Sequence, residues 1–143
     1  MARYQLAATK TSGAAAGMIC QLRTGSGRDL RVYEVGVTAT TAAAGTVGLI
    51  RPTAVGAGFT SVGPGQPIDP VSGAGVAVVD TAATTAPTIG SIYMRRVSLP
   101  ATVGAGVIWT FPDGLVVPIS SSMALWQTSA AAVGYAVYWY FDE

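Results

Sequence analysis

The chain has no histidine, a single cysteine and a single lysine in 143 residues. Without histidine there is no imidazole to act as general base or metal ligand, and no Ser-His-Asp or Cys-His arrangement. Cys20 alone can neither close an intrachain disulfide nor build a zinc site. A serine nucleophile would have only Lys10 to activate it. Charge of either sign is also scarce. Asp, Glu, Lys and Arg make up 10 % of the residues, against about 25 % in ordinary soluble domains. The net charge is +1, with eight basic residues set thinly against seven acids, which does not make a nucleic-acid surface. So little charge protects a free monomer poorly against association. We therefore expect much of the surface to be covered by copies of the chain or by a partner.

The acids do not gather into an obvious site. Asp113 sits in a turn-like Pro-Asp-Gly sequence, Asp142 and Glu143 end the chain, and Asp29 has Arg28 and Arg31 beside it. Glu34 and Asp80 would converge only by accident of fold, and Asp69 or Asp80 would need loop carbonyls to hold calcium. Gly25-Ser26-Gly27 leads into a strand, whereas a phosphate loop feeds a helix N-terminus. From these residues we expect no catalytic residue, no cofactor and no metal. The Arg95-Arg96 pair should point to opposite faces of a strand, one arginine solvated and the other meeting a carboxylate.

Membrane signals are weak. Gly114 to Phe141 carries no charge over 28 residues, longer than a bilayer crossing needs. It is broken by Pro118, by three serines and by Gln127-Thr128-Ser129, and its apolar residues fall in two strand-length blocks. The beginning of the chain has no signal-peptide pattern, and Cys20 reads as a buried, inert thiol rather than a lipid anchor. No membrane contact is expected.

What the chain does contain is small and β-prone. Ala, Gly, Thr and Ser dominate, while 17 Val, 7 Ile, 7 Leu and 3 Phe supply enough apolar volume for one core. Helix periodicity with caps is nearly absent, and short β-branched or aromatic blocks alternate with Gly, Pro, Ser, Thr and Ala clusters. Strands are expected at Tyr4–Thr9, Met18–Leu22, Leu30–Thr38, Val47–Arg51, Val76–Val79, Ile92–Leu99, Val107–Phe111, Leu115–Ile119, Met123–Gln127 and Val133–Phe141. Pro112-Asp113-Gly114 should turn the chain between two of them, and Pro118 should lie on an edge or at a strand end. The fold expected over residues 1–143 is therefore a single all-β domain, a two-sheet antiparallel β-sandwich. A jelly roll is the first choice and a Greek-key sandwich the second. Residues 1–10 read as an N-terminal arm, and 52–75, with four prolines, as a long Pro/Gly loop suited to a partner contact. Ala39–Gly45 and Ala82–Pro87 read as further loops.

The last strand carries the most information. Tyr135, Val137, Trp139 and Phe141 fall on one face; Ala136, Tyr138 and Tyr140 fall on the other. A half-exposed strand would be polar on its second face. We expect the first face in the core, with Trp109 and Trp139 buried, and the second against a neighbouring protein. A sugar platform is the competing explanation, and it would need polar groups close by that this strand alone does not supply.

In its His-free, Ala/Gly/Thr/Val-rich composition, in the strand Leu30–Val37, and in the closing pair Met123–Gln127 and Gly134–Glu143, the chain resembles the small jelly-roll structural proteins of tailed bacteriophages, especially head decoration (cement) proteins. The resemblance implies a non-enzymatic virion protein on the phage head, a homotrimer that binds the major capsid protein lattice and stabilises it. A tail or fibre module binding a receptor or glycan is the alternative. The interface residues expected are Arg3, Tyr4 and Leu6 on the arm, the arm either adding a strand to a neighbour or pairing within its own sandwich, with Tyr138 and Tyr140 on the closing strand.

Overall fold

The computed structural model describes every residue except Met1, Gly13, Ala14 and Ser26. Among the described residues there are eleven strands and no helix: β1 Arg3–Thr11, β2 Gly17–Arg23, β3 Leu30–Ala39, β4 Gly45–Ile50, β5 Ala57–Pro64, β6 Gln66–Pro67, β7 Val78–Thr85, β8 Arg95–Leu99, β9 Gly106–Val117, β10 Ser122–Gln127 and β11 Gly134–Asp142. They form two antiparallel sheets, a front sheet in the order β6-β1-β11-β3-β9 and a back sheet in the order β5-β7-β2-β10-β4-β8.

With β5–β7 set aside, the pairing has a simple logic. The first four strands pair with the last four in reverse, β1 with β11, β2 with β10, β3 with β9 and β4 with β8. One long hairpin is thus wound into two four-stranded layers, which is the jelly-roll arrangement. Strands β5 to β7 are an insertion between β4 and β8; β5 and β7 extend the back sheet beside β2, and β6 touches β1.

Alternation fixes the core. On the front sheet the inward rows run Tyr4–Phe141–Val32–Leu115, Leu6–Trp139–Val35–Trp109 and Ala8–Val137–Val37–Val107. Facing them from the back sheet are Ile19, Cys20, Leu22, Val47, Leu49, Val79, Met123 and Leu125, all fully buried. Trp139 is fully buried and Trp109 nearly so. Burial pushes the Cys20 thiol up to about 12, with the Trp139 indole beside it acting in the opposite direction. Cys20 is an inert core residue.

Several expectations change. The arm is not free: β1 pairs with β11 from Arg3 to Thr11, and Tyr4 and Leu6 lie in the core. Its apolar alternation suits a sandwich strand better than a flexible arm; Met1 lies outside the described residues. The 52–75 segment is not one loop, because it holds β5 and β6. β5 was invisible to alternation because nearly all its residues are exposed on an edge. β7 runs on to Thr85, through most of what reads as a loop at 82–87. Pro112-Asp113-Gly114 does not end a strand. It bulges out of the continuous strand β9, between the pairs Thr110↔Glu34 and Leu115↔Val32, with Gly114 at φ 71°. Pro118 does follow a strand end.

Trp139 is the largest fully buried side chain. Its replacement by alanine should cost about 3–5 kcal/mol. Denaturant unfolding should show a large fall in midpoint or outright aggregation, and a normally melting Trp139→Ala protein would mean that the β11 register is wrong.

Candidate interaction faces

The two outer faces of the sandwich are built differently. On the back sheet, β4 ends at the end of the sandwich that holds the chain termini, whereas β5 begins at the far end. Residues 51–56 must therefore cross the outer face, and residues 86–94 cross it again on the way to β8. The two crossings are joined by the Ala54↔Thr88 bridge and by the Thr53 N–H donating to the Thr88 carbonyl at 2.8 Å. Beneath them the outward row Gln21–Ala124–Ile50 is fully buried. The Tyr93 ring fills the space where Gly48 has no side chain. This face is closed by the chain itself.

A buried charge holds the insertion to that sheet. Asp80 on β7 is fully buried. It accepts from Arg23 Nε at 2.8 Å and Nη2 at 3.2 Å, from Gln21 Nε2 at 2.9 Å and from the Ser61 hydroxyl. Gln21 Nε2 also donates to the Val55 carbonyl at 3.2 Å, and Ser122 donates to Gln21 Oε1 at 3.0 Å. The Arg23 guanidinium lies over the Phe59 ring at 4.5 Å. A carboxylate with four donors is compensated where a lone one would be costly. Asp80 is thus a structural anchor, set on the opposite sheet from Glu34, so the two acids do not meet.

The front sheet is open. Its outward residues form four rows: Arg3–Asp142–Arg31–Val116, Gln5–Tyr140–Glu34–Thr110, Ala7–Tyr138–Gly36–Ile108 and Thr9–Ala136–Thr38–Gly106. Tyr33 stands out beside them, unpaired at the bulge of β3. The third row decides the shape of the face. A Cβ on Gly36 would lie 2.6 Å from both Cδ1 and Cζ of Tyr138, and closer still to Cε1 between them. A point so near all three atoms is above the face of the ring, since beyond its edge the two flanking atoms would be markedly further away. The ring therefore lies flat on the sheet, in a slot that only glycine leaves open. Its hydroxyl donates to Glu34 Oε1 at 2.6 Å. Burial raises the Tyr138 phenol to about 12, and the hydrogen bond and charge of Glu34 add to the shift.

A second cluster sits toward the termini. Arg3 donates to the Tyr140 hydroxyl at 3.0 Å, lies 3.6 Å from Asp142, and stands 6.0 Å from the ring centroids of both Tyr33 and Tyr140. The Tyr33 phenol is raised by desolvation and by Asp142. Of the interface residues expected from the sequence, Arg3, Tyr138 and Tyr140 share this open face, and Tyr4 and Leu6 do not. The sequence pointed to Tyr138 but missed Glu34, Gly36 and Ile108 around it. The one available signal was a lone glycine inside the strand Val35-Gly36-Val37.

Arg95 and Arg96 form no ion pair among the described residues. Both are exposed; Arg95 stacks 5.5 Å from the Phe111 centroid and Arg96 5.7 Å from that of Tyr93. The arginines that meet carboxylates are Arg23, at Asp80, and Arg3, at Asp142.

The end that holds the termini has its own character. Backbone bonds join Ala2 and Glu143, and the Glu143 carboxylate accepts the N–H groups of Val76 and of Ala77 (2.9 Å). Thr24 bonds to the Pro118 and Ser121 carbonyls at 3.1 Å, and Asp29 accepts the Ile119 N–H at 2.9 Å. On these stitched loops Ile68, Val71, Val76 and Ile119 are exposed, Val71 to 91 %. Among the described residues no three His, Cys, Asp or Glu side chains gather as a metal site would require.

Tyr135 is also raised to about 12, by burial. The folded state holds the Tyr135 and Tyr138 protons past the ordinary phenol range near 10. The stability they contribute is intact below pH 10 and is lost as pH rises toward 12. Ultraviolet titration should show late-ionising phenols, one fewer in Tyr138→Phe; a variant that loses an ordinary phenol and keeps the full late-ionising number would contradict the Glu34 bond.

No protein-family model, no curated protein and no solved structure matches the chain.

Proposed function

We propose that this protein is a non-enzymatic virion structural protein, a capsid decoration (cement) protein that binds the assembled head lattice of a phage and works as a homotrimer. The observation that carries the reading is the apolar end of the sandwich. Ile68, Val71, Val76 and Ile119 are large apolar side chains held out on loops that hydrogen bonds and the Glu143 carboxylate fix in place. Exposed apolar side chains held on fixed loops at one end of the sandwich suit a protein-binding surface. Because the loops are already ordered, docking loses less conformational entropy. The partner is the major capsid protein, and the chemistry is mass action: a protein that binds only the assembled lattice shifts the shell toward the intact state. The jelly-roll topology and the sparse charge, 10 % of residues, fit a protein that spends its life covered on part of its surface.

The test uses capsid shells from the phage that encodes the chain. The wild-type protein should co-sediment with them, and in sedimentation equilibrium alone it should show three times the 14.5 kDa of one chain. A Val71→Asp, Ile119→Asp double variant should melt like the wild type, since both side chains are exposed, yet bind shells about tenfold or more weakly. Undiminished binding by that variant, or no binding by the wild type, would overturn the reading.

A further inference from the structure

We infer that the open face of the front sheet is a carbohydrate-binding platform, with the flat Tyr138 ring stacking on the apolar face of a neutral hexopyranose. This inference is independent of the shell-binding reading, which uses the loops at the end of the sandwich that holds the termini and different residues.

The argument begins with the ring. An aromatic face carries negative charge density, and the axial C–H groups of a pyranose present a flat, weakly positive patch of matching size. For such stacking the ring must lie parallel to the surface and stay there. Gly36 lets Tyr138 lie flat, and Glu34 pins its hydroxyl at 2.6 Å. One face of the ring is thereby against the sheet and the other is left for a ligand.

The second part is what surrounds it. Sugar recognition needs hydrogen-bonding groups around the edge of the stacked ring, and β11 alone supplies none beyond its tyrosines. The neighbouring strands supply them. Gln5 and Thr110 flank the platform on the row toward the termini, and Thr9 and Thr38 on the row toward the far end. Same-face residues on a strand are about 6.8 Å apart and strands about 4.8 Å apart, so Thr38 and Thr110, each within one row and one strand of Gly36, stand nearest a sugar stacked on the ring, with Gln5 and Thr9 further out on β1. Glu34 has a second carboxylate oxygen with no hydrogen bond among the described residues, an acceptor suited to a sugar hydroxyl. The groups around Tyr138 are uncharged apart from Glu34, since Arg3 and Asp142, which pair with each other, and Arg31 stand one row further on. That favours a neutral sugar.

A second copy of the chain fits this face less well. A stable protein contact buries about 800 Å² on each partner around an apolar centre. The apolar and aromatic side chains here are Ala7, Tyr138, Ile108, Ala136, Tyr140, Tyr33 and Val116, with Ile108 60 % exposed. They are interleaved with Arg3, Gln5, Arg31, Glu34, Thr9, Thr38 and Thr110 rather than gathered in an apolar centre.

The experiment is a nuclear magnetic resonance titration of the whole protein with neutral hexasaccharides of glucose, mannose, galactose and N-acetylglucosamine. At least one should bind, with saturation transfer to its axial protons and shifts centred on Tyr138, Ile108, Glu34, Thr38 and Thr110. Tyr138→Ala should weaken binding about tenfold or more, and Glu34→Gln should weaken it with the fold intact. The wild-type shifts need no variant and so keep the test decisive if Tyr138→Ala misfolds. If none of the sugars binds, or binding survives at sites away from Tyr138, the inference is wrong. It is equally wrong if the same resonances respond to protein concentration instead of sugar, which would assign the face to a second copy. Shell binding is measured separately, so failure of either reading leaves the other standing.

Discussion

β11 lies hydrogen-bonded between β1 and β3, and its register decides what both sides of the front sheet carry. In that register Tyr135, Val137, Trp139 and Phe141 fill the core while Ala136, Tyr138 and Tyr140 face outward. A slip of one residue would exchange the two sets, burying two phenols without partners and exposing the largest core side chain. The register is held at both ends by buried polar groups. At the far end Gln127 Oε1 accepts from Ser12 at 2.6 Å and from Tyr135 at 2.9 Å, while its amide donates to the Ser129 and Ala131 carbonyls of the β10–β11 turn. At the other end Glu143, next to the last strand, ties the loop before β7. The outward aromatic row is thus a consequence of how the core is filled.

The insertion between β4 and β8 explains why the two outer faces differ. Its connections must cross the back sheet, and the residues beneath them have changed accordingly: Gln21, Ala124 and Ile50 are buried on a face that would otherwise be wet. Asp80 and Arg23 anchor it electrostatically. The front sheet has no such cover and keeps its rows of tyrosine, threonine and glutamine open. A sandwich closed on one side by its own chain leaves one broad face and one loop end for partners, and the two carry different chemistry.

Much of this was legible in the sequence wherever one face of a strand is buried. Alternation in residues 4–9, 30–38 and 133–141 located β1, β3 and β11, and the doubly apolar last strand singled out Tyr138 and Tyr140. The failures have physical causes. β5 is an exposed edge strand with nothing to alternate. The Pro112-Asp113-Gly114 sequence has turn chemistry, and a bulge uses the same φ values as a turn. Tyr4 and Leu6 read as arm residues because alternation shows a strand but not whether its partner is β11 of the same chain or a neighbour. Glu34, Gly36 and Ile108 are brought to Tyr138 by pairing between strands far apart in sequence, which a one-dimensional pattern does not contain.

The proposed function rests on the apolar loop end, which would dock on a protein lattice and leave the front sheet facing outward. An electron cryo-microscopy reconstruction of the particle tests this most directly. The account predicts density for the sandwich on the outside of the head, with the 68–77 and 118–121 loops seated on the capsid protein and the Tyr138 face directed to solvent. A sandwich seated through the Tyr138 face, or a head with no such density, would contradict it.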